Sequence, residues 1–225
     1  MILIDSKNSV NIHKKLLDRF KEIYLEAFPD EMEREDFYEI LVRVKFGDFP
    51  KTVIVLQVES DNLLGGMIVD IYHNQIFHLT YLVTDKKFRG RGCAKTLVKE
   101  GLPKLINNYR SAATGVFVET NIPEMTKNDS FSPESRIKIF GKLGMKLIPI
   151  KYIQPPLDVN KSYVLNLQLL YYPIVELSEI STGEVIYFLN SLYQSLEQPE
   201  DNQSLVFMRN SLNDFGDTVE LKSIN

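Results

Sequence analysis

Six consecutive residues, Arg89-Gly90-Arg91-Gly92-Cys93-Ala94, bring two glycines and two arginines into one short stretch. An apolar, β-branched run ends just before them at Thr84. A segment with helical spacing follows, with Ala94, Leu97, Val98, Leu102, Leu105 and Ile106 apolar. The first amides of a helix have no intrahelical partner, and the aligned peptide dipoles add positive potential there. Glycines let backbone approach a bound group closely, and arginines supply charge-assisted hydrogen bonds. Bare amides and local positive charge at a strand-to-helix turn suit a diphosphate. A P-loop would need Gly-Lys-Ser/Thr at its end, and a dinucleotide-binding turn would need a third glycine within a parallel βαβ unit. Both are missing.

The rest of the chain supplies no competing charge. With 225 residues and a formal net charge of -4, it has no global field to attract nucleic acid or an anionic membrane, so any cationic site must be local. Hydrophobic content of 44% and charged content of 25% are those of a soluble globular protein with a core. Cys93 is the single cysteine, which excludes an intramolecular disulfide, and no Cys/His spacing suggests a metal site. The N-terminal residues do not read as a signal peptide, and no apolar run reaches the roughly 18 residues of a membrane span. A cytoplasmic protein without nucleic-acid or membrane partners is expected.

The elements that must position the turn follow from periodicity. Ile12, Leu16, Leu17, Phe20, Ile23, Tyr24 and Ala27 recur at helical spacing and stop before Pro29; a second helix is expected from about Arg34 to Lys45. TVIVLQVE (52–59), LLGGMIVDIY (63–72) and QIFHLTYLVT (75–84), separated by SDN and HN, predict an antiparallel meander. A helix over 92–109, interrupted in character by Gly101 and Pro103, leads to a buried strand at 115–120. Ser132-Pro133-Glu134 is a helix start, and that helix ends at Gly144. Strands at 145–153 and 163–172 follow. Beyond Pro173 the chain turns helical, over about 182–197 and 202–214. The pattern is α/β with one mixed, mostly antiparallel sheet flanked by helices, as a domain 1–172 with a helical extension 173–225. The apolar stripe Val185, Phe188, Leu189, Leu192 and Tyr193 covers the core or, on a second reading, makes the extension a protein-interaction or homodimer element.

The sequence here resembles the GNAT superfamily of acyl-CoA-dependent N-acyltransferases. Their central motif is Arg/Gln-x-x-Gly-x-Gly/Ala, which Arg89 to Ala94 match in full. Tyr81-Leu82-Val83-Thr84 looks like the superfamily's fourth strand, and Ile139-Phe140-Gly141-Lys142-Leu143-Gly144-Met145 is similar to the motif of its following helix. The order of elements from about residue 9 to 172 matches the fold. Val118-Glu119-Thr120-Asn121, Arg136 and Tyr152-Ile153-Gln154-Pro155-Pro156-Leu157 look like a bacterial branch of it with a helical C-terminal extension.

The resemblance implies that acetyl-CoA is the co-substrate, with its diphosphate on Arg89, Gly90, Arg91, Gly92, Cys93 and Ala94. Its pantetheine arm would pair with the backbone of Leu82, Val83 and Thr84 like an added strand. Lys86 and Lys87 are solvated or meet the 3′-phosphate. The acceptor would be a primary amine, on a small molecule or a peptide. Acidic residues from Asp30 to Asp36 and in the loop Glu124–Asp129 would suit a cationic one, or simply solvate the surface. A free alkylamine has a pKa near ~10, so its proton needs an acceptor. Glu119 is the first candidate base, its alternative being a carboxylate at a strand end. His78 is the second, or a satisfied strand histidine. Tyr152 and Tyr81 donate a proton, line a pocket or pack. Phe140 stands where many members carry a tyrosine acid, and Pro133 where the motif's usual asparagine lies. Those departures keep open a non-catalytic acyl-CoA-binding or sensor module. Cys93 reads as a small filler.

Overall fold

The expected meander forms and gains a strand. A computed structural model describes residues 1–7, 13–32, 34–73, 75–109, 112–126 and 131–224, arranged as two compact units, Met1–Ala113 and Thr114–Asn225. In the first unit β1 (Ile2–Ile4) lies antiparallel to β2 (Lys51–Glu59), which pairs with β3 (Asn62–Tyr72), which pairs with β4 (Ile76–Thr84). Three apolar residues carry no readable period, so β1 escapes notice in the sequence. Every residue of β3 after Asn62 is buried, as expected of a strand covered on both faces.

Helices α1 (Lys14–Ala27) and α2 (Phe37–Phe46) cover one face: Phe20, Ile23 and Tyr24 with Phe37, Ile40 and Val44 pack on Ile54, Leu56, Ile68, Tyr81 and Val83. The side chain of Asp36 caps α2 by accepting from the amides of Tyr38 and Glu39. A helical run covers the other face, as α3 (Cys93–Thr96), a π turn (Leu97–Gly101) and α4 (Leu102–Asn108). The amide of Leu102 reaches the carbonyl of Leu97, five residues back. This wide turn lies just ahead of Pro103, which has no N–H to give, so the expected interruption is a bulge rather than an end. Gly101 lies against β3: a Cβ there would stand 2.9 Å from the terminal methyl of Met67.

Two bulges adjust the sheet. Ile68 pairs with Tyr81 and Val69 with Leu79, leaving Thr80 as an extra residue whose hydroxyl donates to the carbonyl of Ile68 at 3.1 Å. Side chains alternate along a strand, so His78 and Tyr81, three apart, would face opposite ways; the extra residue turns both to the α1–α2 face. On β3, Gln57 pairs with Gly65 and Val58 with Leu63, so Leu64 is extra, and its carbonyl accepts from the amide of Asp85 at 2.9 Å.

The second unit contains β5 (Gly115–Asn121), α5 (Pro133–Lys142), β6 (Lys146–Leu147), β7 (Leu167–Pro173), β8 (Glu179–Ser181), α6 (Thr182–Ser195), α7 (Gln203–Asn213), β9 (Thr218–Glu220) and β10 (Lys222–Ser223). β7 pairs antiparallel with β5 and β6, β10 with β6, and β8 with β9. Ser132 caps α5 by accepting from the amide of Ser135, with Pro133 at the first helical position, as its sequence predicts.

The strand expected over 145–153 is largely absent. Only Lys146–Leu147 pairs as strand. Pro149 brings no N–H, the amide of Ile150 turns back to the carbonyl of Ile148 at 2.8 Å, and pairing resumes only at Gln154, which bridges to Val164. The tail after Pro173 holds the two expected helices and three short strands besides, and Phe188 of α6 stacks on Phe117 of β5, ring centroids 4.2 Å apart. The fold is α/β with mostly antiparallel strands flanked by helices. Ile12, Asn74 and positions 127–129 of the acidic loop lie outside the described residues.

Candidate functional site

The glycine turn starts at a carboxylate that its sequence reading missed. Asp85 is buried, accepts from the amide of Lys87 at 2.9 Å, and pairs with Arg19 of α1. This is an aspartate turn, in which the side chain closes a ring with the backbone two residues on; Asp85-Lys86-Lys87 carried that signal. Burial alone would raise the Asp85 carboxyl, but the Lys87 amide and the Arg19 guanidinium outweigh it and hold it below the ordinary range. A 3₁₀ turn, Lys86–Phe88, comes next.

Then the backbone reverses twice. Gly90 and Gly92 have φ of +79° and +81°, a conformation that a side chain disfavours. A Cβ built on either glycine meets nothing within 4 Å, so the space over this turn is open. The first intrahelical bond runs from Thr96 N to Gly92 O at 2.9 Å, so the amides of Cys93, Ala94 and Lys95 lie ahead of it. Arg89 and Arg91 are exposed, with the Arg91 guanidinium 5.3 Å from the Phe88 ring centroid. Cys93 is buried, its thiol donating to the Phe88 carbonyl at 3.7 Å, and burial pushes that thiol up: an inert packing residue. Lys86 and Lys87 are exposed, Lys86 3.6 Å from Glu26. Leu82, Val83 and Thr84 have one backbone edge paired to β3, opposite Met67, Gly66 and Gly65.

His78 lies in the same unit and is buried. Its Nδ1 is 3.5 Å from the hydroxyl of Tyr72, and it stands across from Asp70 on β3. Asp70 accepts from Thr52 Oγ1 at 2.7 Å and faces Arg43, which binds Glu35 at 2.5 Å. Burial raises the Glu35 carboxyl, against the pull of Arg43. Burial opposes the Arg43 cation, yet Glu35 and Asp70 outweigh it and hold it above its ordinary range. Tyr81 is drawn into the same network: its hydroxyl accepts from the amide of Glu35 at 3.0 Å and burial places it well above the usual phenol range.

In the second unit the structure gathers the other candidates. Phe117, Glu119 and Asn121 leave β5 on one face by alternation. One oxygen of Glu119 accepts from the Tyr152 hydroxyl and the other from Gln154 Nε2 at 3.1 Å. Tyr152 and Gln154 are two apart, and both side chains point to the same carboxylate. Asn121 accepts from Arg136 of α5 at 2.7 Å. Thus residues from three separated stretches of the sequence form three hydrogen bonds around one strand end. Phe140 is buried on α5. Among the described residues, no group of three or more His, Cys, Asp or Glu is placed to hold a metal ion, and no helix is long and apolar enough to cross a membrane.

Comparison with known proteins agrees with this architecture. Residues 14–124 match the model of the Acetyltransferase (GNAT) family. No curated protein sequence matches the chain. Among solved structures, a GNAT-family protein from Bacteroides thetaiotaomicron superposes with a TM-score of 0.57 at 14% identity, over 78% of this chain and 89% of that one. An aminoglycoside 6′-acetyltransferase of type Ii gives 0.53 at 17% identity, over 79% and 99%. An aminoglycoside 6′-N-acetyltransferase solved with coenzyme A gives 0.51 at 16%, again over 79% and 99%. At these identities the likeness is one of fold.

Proposed function

Residues 14–124 are an acetyltransferase (GNAT) family domain, and on that premise we propose that the protein transfers an acetyl group from acetyl-CoA to a primary amine. The observation that carries this is the turn: two left-handed glycines under open space, next to arginines and the leading amides of a helical run. The backbone from Arg89 to Ala94 fits a diphosphate, and Asp85 with Arg19 fixes where that backbone begins. The backbone of Leu82 to Thr84 would hold the two amides of the pantetheine arm along the edge not taken by β3.

Bound acetyl-CoA supplies an activated acyl carbon and a thiolate leaving group whose conjugate acid has a pKa near ~8.5, by analogy with cysteine. The amine nitrogen attacks in a ternary complex; the C–N bond forms, the C–S bond breaks, and the products are an amide and a free thiol. Two proton movements balance the step. The attacking nitrogen loses one, for which Glu119 is the proposed acceptor, and the departing sulfur gains one. Tyr152 and Gln154 hold both Glu119 oxygens in place while leaving each a further lone pair for the arriving proton. His78, already engaged with Tyr72, is the alternative base. The acetyltransferase domain is assigned to residues 1–172, and the extension 173–225 lies outside the coenzyme site.

Titration calorimetry tests the carrying observation. CoA and acetyl-CoA are expected to bind in the low-micromolar to submillimolar range, as substrates of such enzymes commonly do. Gly92→Glu puts a side chain and a negative charge at a φ of +81° and should abolish binding. Equal affinity in that variant would place the coenzyme elsewhere. Turnover is then sought with a panel of small-molecule and peptide amines; a protein that binds CoA but acetylates no amine would be an acyl-CoA-binding module instead.

A further inference from the structure

We infer that the C-terminal extension positions Glu119, by clamping the backbone of the one residue between its two hydrogen-bond donors. That residue is Ile153. Its carbonyl accepts from the hydroxyl of Tyr193 on α6 at 2.9 Å, and its amide donates to Sδ of Met208 on α7 at 3.4 Å. Both contacts are buried, and Tyr193 and Met208 are each 0% exposed.

The arrangement is unusual next to a β-bridge. Backbone groups at such positions normally pair with a neighbouring strand, as Gln154 does with Val164. At Ile153 both polar groups are taken by side chains, one from each helix of the extension. Because Tyr152 and Gln154 flank this peptide and point together at Glu119, a rotation at Ile153 would swing both donors off the carboxylate at once. The extension also covers the strand that carries Glu119: Phe188 stacks on Phe117, which shares the Glu119 face of β5. Burial raises the Tyr193 hydroxyl, with Tyr163 and, less, the charge on Glu119 adding to the effect. Tyr193 and Met208 are therefore positioning residues that act through Ile153, and the extension belongs to the acid–base apparatus rather than to coenzyme binding. This role rests on the reading of Glu119 as base.

The test uses the full chain with tyrosine labelled by ¹³C at Cζ, the Tyr152 resonance being identified by its loss in Tyr152→Phe. Tyr193→Phe keeps the ring and removes only the hydroxyl. It should move the Tyr152 resonance, lower kcat on an amine acceptor about 10-fold, and leave KM for acetyl-CoA within about twofold; misplacement by ~1 Å can cost up to 10²-fold. Tyr187→Phe, on the same helix but half-exposed, should change neither. Should Tyr193→Phe fail to fold, Met208→Leu removes the sulfur acceptor at nearly constant volume and is expected to move the same resonance. A folded Tyr193→Phe or Met208→Leu with Tyr152 at the parent position overturns the clamp. If Glu119→Gln cuts kcat while Tyr193→Phe changes nothing, the clamp alone is wrong. If Glu119→Gln leaves kcat intact, the base assignment falls, and the catalytic meaning of the clamp falls with it even if the resonance moves.

Discussion

The turn at 89–94 is made of consecutive residues and presents backbone, whereas Glu119 is held by side chains from positions 152 and 154, themselves held from 193 and 208. The turn lies under open space, and what it presents is backbone and two exposed arginines. Glu119 is half-buried, with both oxygens engaged by neighbours. The difference matches what the proposed function asks of each. A diphosphate is a charged group that any array of amides and cations can bind. A proton acceptor must be aimed, which takes surrounding contacts that fix the side chain's rotamer.

The largest effect that separates the two regions is expected from Glu119→Gln. The amide keeps the shape of the carboxylate and loses its basicity. Loss of a general base typically costs about 10²–10⁴-fold in rate. The measurement is kcat against pH over pH 6–9, with CoA affinity followed in parallel by calorimetry. A fall of that size at unchanged CoA affinity sharpens the division between a coenzyme-binding turn and an acid–base cluster. A variant within about threefold of the parent at every pH would move the proton to His78 or to bulk water. Loss of CoA affinity together with activity would make Glu119 a structural carboxylate and dissolve the comparison.

The two regions also differ in how far the sequence discloses them. Arg89 to Ala94 could be read directly, since composition, local geometry and flanking periodicity all lie within one short window. Glu119, Tyr152 and Gln154 were visible only as members of separate segments, and nothing in their spacing joins Glu119 to Tyr152. Tyr193 and Met208 look like ordinary members of an apolar helix face, because a hydroxyl aimed at one distant carbonyl leaves no periodic trace. The bulge at Thr80 escaped for a related reason: strict alternation puts His78 and Tyr81 on opposite faces, and one inserted residue reverses that. Strands of two or three residues, such as β1, β6 and β10, are too short for a period to show.

An intermediate effect is expected at Asp85, the point where side-chain positioning enters the backbone-built region. Asp85→Ala removes the acceptor of the Lys87 amide and the partner of Arg19 together. Losing a cap of this kind costs about 1 kcal/mol, and up to about 2 where a buried bond is broken. If about 1 kcal/mol of that falls on the geometry of the turn, CoA binding weakens about fivefold. Chemical denaturation and calorimetry on the same preparation separate the two contributions. A variant that melts earlier and yet binds CoA unchanged would show that the turn keeps its shape without Asp85.

The smallest effect is expected from Asp85→Asn, which isolates the charge. Asparagine still accepts from the Lys87 amide through its side-chain oxygen and keeps the turn, so only the attraction to Arg19 is lost. Arg19 is 39% exposed, and screening holds such a pair to under about 1 kcal/mol. Asp85 has its carboxyl lowered in the folded protein from an ordinary 3.8. An acid lowered in this way contributes stability that is fully present above its unfolded value and is lost as pH falls through its folded value. The parent should therefore exceed Asp85→Asn by a constant margin between about pH 5 and 8, and the margin should shrink below pH 3.8 as the parent's own carboxylate takes up a proton. Urea denaturation of both proteins at several pH values measures it, and raising the salt at pH 7 should narrow the gap as well. A margin that persists undiminished into strong acid would mean that asparagine disturbs the shape of the turn, and that the contribution of Asp85 is one of geometry rather than charge.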